Sequence, residues 1–165
     1  MTEGTAPDKE ASYTRTATGS HYGYQAHIST DGEYQLIRQA LISPGGTQEA
    51  HVFERVSPAD AKAIYADKAY DTKANRAWLH RQQIVNGILK KGAHHIKLSE
   101  KDNQMNHQKG LVRKNIERVF GHLKQGQGYR RARSLGWAKN QLELTLKALT
   151  YNLKRWARIM GLHQT

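Results

Sequence analysis

"HYGYQAHIST", residues 21–30, decides the fold, because its apolar side chains recur with a period of two. Tyr22, Tyr24, Ala26 and Ile28 alternate with His21, Gly23, Gln25 and His27, the pattern of a strand with one face in a core. "DGE" (31–33) follows, and Asp-Gly accepts positive φ, so the chain is expected to reverse there as a hairpin. "YQLIRQALIS" (34–43) then reads as the returning strand, ended by "PGG". Upstream, residues 1–20 are rich in Thr, Ala, Gly and Ser and lack a hydrophobic period. They read as an irregular N-terminal arm, with the folded domain over 21–165.

Downstream the periods change. "TQEAHVFERV" (47–56) reads as a short helix opened by a Thr47 cap. The apolar run "AIYA" (63–66) is too short for a helix and suits a buried strand. Asp71 is placed to cap a helix over "TKANRAWLHRQQ", and "VNGILKKGA" (85–93) reads as a further short strand. Residues 99–108 are polar and read as a loop or a helix lead-in. From about residue 109, Val112, Ile116, Val119 and Leu123 take helical steps, until "QGQG" (125–128) breaks the run. In the last helix Leu142, Leu146, Leu149, Leu153, Trp156 and Met160 recur by fours and threes, an apolar stripe. Trp78, Trp137 and Trp156 read as core anchors, and the nine histidines as surface or phosphate-contacting groups without ligand spacing. His94 and His95, adjacent in a short strand, would point to opposite sides and chelate poorly. Two adjacent antiparallel strands, then strands alternating with helices, predict an α/β layer fold with a mixed sheet.

Charge narrows the function. Lys and Arg number 26 against 14 Asp and Glu, a net charge of +12 over 165 residues. Such a surplus points to a polyanion, because each phosphate neutralised releases counterions. The run 121–165 carries Lys124, Arg130, Arg131, Arg133, Lys139, Lys147, Lys154, Arg155 and Arg158 against Glu143 alone. No stretch reaches the roughly 18 apolar residues of a membrane span. The start "MTEGTAPDKEASYTRT" lacks a signal peptide's apolar core, and the chain has no cysteine. The expected setting is cytoplasmic and nucleoid-associated, as in a bacterium, with no membrane and no small-molecule substrate.

Two acids stand where chemistry could occur. Asp67 follows "AIYA" directly, at the C-terminal end of a strand where α/β sites open; it could equally cap a turn. Glu117 lies in "RKNIERVFGHLK" (113–124) among Arg113, Lys114, Arg118, His122 and Lys124. At about 100° per residue, Arg113, Glu117 and Lys124 share one helix face. Either Glu117 forms an i,i+4 ion pair with Arg113, or it holds a metal while the cations hold phosphates.

"SHYGYQAHIST", "IYADKAYDT" and "RKNIERVFGHLK" followed by "YNLKRW" resemble the catalytic part of DDE-type insertion-sequence transposases. The resemblance spans about residues 8–160 and implies an RNase H-like mixed sheet with an antiparallel hairpin flanked by helices. It places the second catalytic Asp at Asp67. The third acid follows the family's pattern of Tyr, two residues, Arg, three residues, Glu, six residues, Lys, which assigns Arg113, Glu117 and Lys124; Gly110 stands at the Tyr position. Asp67 and Glu117 would be catalytic and metal-binding, with Mg2+ or Mn2+ as cofactor. Arg113, Lys124, Arg118 and Lys114 would contact DNA. The family's first Asp, on a strand upstream of the hairpin, has no counterpart, since Asp8 sits in "TAPDKEASYT", which resembles the linker after that strand. The chain is therefore expected to be N-terminally truncated, a split-frame product or a decayed copy, lacking its first strand. The implied function is cleavage and strand transfer of double-stranded DNA, at element ends and target, with self-association as an option. The alternative is a catalytically inactive basic DNA-binding fragment, and the chain alone is expected to perform little or no strand transfer.

Overall fold

The computed structural model describes residues 8–16, 19–92 and 97–162. The hairpin forms as the period-two pattern predicts: β2 (Gly19–Thr30) pairs antiparallel with β3 (Ile37–Pro44), from Tyr24↔Pro44 to Thr30↔Ile37. Its reversal is wider than an Asp-Gly turn. The Asp31 carboxylate accepts from the amides of Glu33, Tyr34, Gln35 and Leu36, and β3 starts only at Ile37. Within the stretch read as an irregular arm, Ser12–Thr16 form β1, antiparallel to the first half of β2. Its Ser, Thr and Arg side chains carry no apolar period, so backbone pairing and the Tyr13–Tyr22 ring contact (4.8 Å) hold it.

Beyond β3 the chain makes a 3-10 turn, Glu49–Val52, and the single-turn α1 (Phe53–Val56). Thr47 is not its cap; Gln48 holds that position and gives no side-chain bond. Next comes β4 (Ala63–Ile64), parallel to β5 (Val85–Asn86). The ladder is better described by its evenly spaced bonds: the amides of Val85, Gly87 and Leu89 donate to the carbonyls of Lys62, Ile64 and Ala66 at 2.9, 2.8 and 3.0 Å. Gly87 is required there, since a Cβ would stand 2.6 Å from the Ile64 carbonyl and 2.5 Å from the Tyr65 ring. Between these strands runs α2 (Lys73–Arg81), capped by Thr72, whose hydroxyl accepts from the Asn75 amide, and not by Asp71. Asp71 instead pairs with Arg76 and accepts from the Lys91 amide. Among the described residues the antiparallel β1-β2-β3 and the parallel β4-β5 are separate sheets, so both strand directions expected of a mixed sheet are present but no ladder joins them.

The polar stretch 99–108 is helical: α3 runs from Glu100 to Gly121, opened by Ser99, which accepts from the Asp102 amide. The helix widens into a π-helical turn, His122–Gly126, before "QGQG" ends it. α4 (Trp137–Ile159) starts at Gly136, whose φ of +90° favours glycine. The chain's beginning supplies this helix start with carboxylates. The Asp8 carboxylate accepts from the Gly136 amide (2.8 Å) and the Glu10 carboxylate from the Trp137 amide (2.9 Å), negative groups at the positive end of the helix dipole. The Gly136 amide is the main cause holding the Asp8 carboxyl below its usual range.

Two cores result. Ile28, Ile37 and Ile42 of the hairpin pack on Val119 and Leu123 and on Leu144, Ala148 and Tyr151 of α4. Phe53, Leu79, Ile84 and Ile88 form the second, with Trp78 set edge-on to Phe53 at 5.8 Å. α4 also closes the outer edge of β3. The Asn152 side chain bonds both the amide (2.8 Å) and the carbonyl (2.9 Å) of Ile37, and Gln141 bonds the Ile42 amide (2.9 Å) and the Ala40 carbonyl (3.0 Å). The face of α4 that does this is the one carrying Asn140, Leu144, Ala148 and Tyr151. The stripe from Leu142 to Met160 lies on the opposite side and is 54–62% exposed at every position. Trp156 is therefore not a core anchor, and Trp137, 36% exposed at the start of α4, lies outside both cores.

Not all histidines are at the surface. His27 is buried, with Nε2 2.8 Å from the Ser43 hydroxyl, and burial, helped by Arg55, pushes its pKa down. His94 and His95 lie outside the described residues. A His with a lowered folded value stays neutral in the native protein while the unfolded chain takes up the proton. Stability is therefore expected to be level above about pH 6.5 and to fall as the pH drops below it. Urea midpoints between pH 5 and 8 would read this, and His27→Gln should flatten the slope; an unchanged slope would assign it to other groups.

Candidate active site

Asp67 follows the last ladder carbonyl, Ala66, at the C-terminal end of β4. One of its carboxylate oxygens caps the turn Lys68–Tyr70, accepting from the Lys68 amide at 2.6 Å. The other faces α3 and lies 3.7 Å from an Arg113 guanidinium nitrogen. Arg113 turns its other terminal nitrogen to Glu117, 2.8 Å away and one helical turn on. Two acids fifty residues apart in sequence thus share one guanidinium. The i,i+4 ion pair and the convergence with Asp67 hold together.

The pair sits on a groove of about 950 Å³ between the two sheets. Tyr24–Gly32 of β2 and the following loop form one wall, and Lys62–Asp67 the other. Ile116 and Phe120 of α3 line it as well. Among the described residues, 24–30 of β2 pair only with β3, and β4 only with β5, so within that set both strands present an unpaired edge to the groove. Four buried side-chain atoms without a partner belong to residues lining it: Gln25 Oε1, Ser29 Oγ, Arg113 Nε and Asn140 Oδ1. Buried polar atoms are seldom left so.

The predicted DNA contacts separate. Arg113 and Lys124 line the groove, Lys124 with its ammonium 6.0 Å from the Phe120 ring centre. Arg118 does not: it donates to Asn115 and lines a separate hollow beside Gly121 and His122. Lys114 is exposed and lines neither. Sequence reading passed over Arg130 and Arg131 as individual site residues, though both line the groove. It also missed Glu49, which lines the groove and whose pKa is raised by burial and by the nearby Asp67 charge. Burial, Glu49 and Asp67 together push the Tyr70 phenol up to about 12. No spacing rule would have joined Glu49 to Asp67. Among the described residues, no three His, Asp or Glu side chains are grouped to hold a metal ion. Asp8 is committed to the start of α4 and does not line the groove.

Chemically, the site offers two carboxylates, Asp67 and Glu117, paired to opposite nitrogens of one guanidinium, and a basic rim. Carboxylates of this kind suit Mg2+ or Mn2+, which are commonly held by one or two acids plus substrate phosphates. No described helix is long and apolar enough to cross a membrane.

Comparison with known proteins gives the same direction. The family pattern described as "Transposase DDE domain" matches residues 2–153. The chain is 30% identical over 152 residues to the transposase for insertion sequence element IS1106 of Neisseria meningitidis serogroup B, an alignment covering 91% of this chain. It covers 52% of that relative, so the chain spans about half the length of the curated protein it matches. No solved structure matches it.

Proposed function

The chain belongs to the transposase DDE-domain family, and on that premise we propose that it forms the part of an RNase H-like transposase carrying two of the catalytic acids, Asp67 and Glu117. The observation that supports this reading is their convergence on Arg113. That a guanidinium fits between both carboxylates argues that the pair can cradle one cation. Mg2+ or Mn2+ held by Asp67 and Glu117 would supply activation of an attacking hydroxyl and charge neutralisation at phosphorus.

The chain's own residues do the rest. Arg113 is forked, so it can neutralise the acids or take a phosphate through two bonds; Lys124 acts as a point charge at the rim. Arg130 and Arg131 extend that rim along the groove. Lys114 and Arg118, which face elsewhere, would contact DNA away from the cleavage point. The groove between the unpaired edges of β2 and β4 has the shape for one more strand, antiparallel to β2 and parallel to β4. A strand there would complete an RNase H-like sheet beside Asp67.

With two acids at the site and no third grouped with them among the described residues, the chain alone is expected to perform no strand transfer. It is expected to bind duplex DNA, and Mn2+ should raise that affinity about tenfold, a gain of roughly 1.4 kcal/mol. Fluorescence anisotropy with and without Mn2+ measures it. Asp67→Asn and Glu117→Gln should each abolish the metal response while leaving metal-free binding intact. An affinity indifferent to metal would favour the inactive DNA-binding fragment.

A further inference from the structure

The exposed stripe on α4 has no role in either core, the groove or the basic rim. We propose that it is a helix-to-helix seam that pairs with α4 of a second copy of this chain. This does not depend on the metal chemistry, and its test leaves that chemistry untouched.

The spacing is the first argument. Leu142, Leu146, Leu149, Leu153, Trp156 and Met160 are separated by four, three, four, three and four residues. That is a repeat of 3.5, the period of a helix whose apolar line faces another helix, and narrower than the band that packs on a sheet. The face that does pack on the sheet is separate, at Leu144, Ala148 and Tyr151. α4 is thus apolar on two opposite sides, and only one is covered.

Charge is the second. Two proteins of net charge +12 repel unless they meet on a face without cations. α4 carries Lys139, Lys147, Lys154, Arg155 and Arg158. At about 100° per residue, only Lys139, near its start, falls within a quarter turn of the stripe. Thr145, Thr150, Ala138 and Ala157 flank it instead. Apart from Lys139 a nucleic acid would find no cation of α4 there, whereas an identical apolar strip would find its match.

Size is the third. The stripe runs for about 27 Å at ~1.5 Å per residue. Six large apolar side chains, each more than half exposed, on each of two copies approach the order of the ~1,600 Å² buried by a standard specific interface. An isologous pairing of this kind closes as a two-fold dimer.

Sedimentation equilibrium of the nuclease-treated chain in 0.5 M NaCl is the test. The expected result is twice the 18.7 kDa chain mass at tens of micromolar, falling toward one chain on dilution. Leu146→Lys with Leu153→Lys should weaken association at least a hundredfold with the helical circular dichroism unchanged. Should that pair disturb folding, Leu146→Ala with Leu153→Ala should weaken it at least tenfold. A single-chain mass throughout would overturn the proposal and leave the stripe to a different partner. So would a dimer whose mass neither pair of substitutions moves.

Discussion

Exchanging Arg113 for glutamine is expected to tighten Mn2+ binding by the chain about tenfold, and exchanging Glu117 for glutamine to weaken it about a hundredfold. The argument is that one position serves two cations. The Arg113 guanidinium lies 2.8 Å from Glu117 and 3.7 Å from Asp67, so a metal ion and the guanidinium compete for the same negative charge. Asp67 and Glu117 are 45% and 59% exposed at their side chains, which screens the competition and keeps the Arg113 effect near one power of ten. Removing a carboxylate takes away both charge and a donor atom, hence the larger loss. Titration calorimetry or Mn2+ resonance on wild type and variants decides it. If Arg113→Gln instead weakens binding, the arginine supports the metal rather than displacing it, and the competition picture is wrong.

The second large effect is on stability. Leu144→Ala is expected to cost about 2–5 kcal/mol, because Leu144 is wholly buried between α4 and the hairpin and its removal leaves a cavity. Leu146→Ala, two residues on, should cost less than about 0.5 kcal/mol at concentrations where the chain is monomeric. Urea unfolding of both at low micromolar concentration gives the comparison. Equal losses would mean that the stripe is covered from within the chain.

That pair of leucines also shows what could be read from sequence. Periodicity identified α4 correctly, but its most regular apolar line is the side the fold leaves uncovered. The line that reaches the core, through Asn140, Leu144, Ala148 and Tyr151, also takes helical steps of four, four and three, but an amide, a small alanine and a phenol make it less apolar than the stripe. Asn152 and Gln141 resemble ordinary helix-surface amides in a sequence, and only the position of β3 turns them into backbone partners. The hairpin was legible because a half-buried strand must alternate. β1 was not, since Ser12, Thr14 and Arg15 are held by pairing and not by an apolar face. The start of α3 is polar on all sides, although Ser99 followed three residues later by Asp102 was an available capping signal. At the site, Asp67 and Glu117 could be named from a family likeness. That Arg113 touches both, and that Glu49 shares their groove, depends on contacts between segments far apart in the chain.

The amides of Gln141 and Asn152 have one more consequence. A strand at the margin of a sheet is a template on which another chain can polymerise, and proteins survive by blunting it. Here the outer margin is occupied by side chains that mimic a neighbouring strand, while the inner margin opens on the groove that Ile116 and Phe120 of α3 also line. Runaway strand addition, the route to amyloid, is therefore barred on the outside, and any segment that adds to the inner margin must fit between two walls.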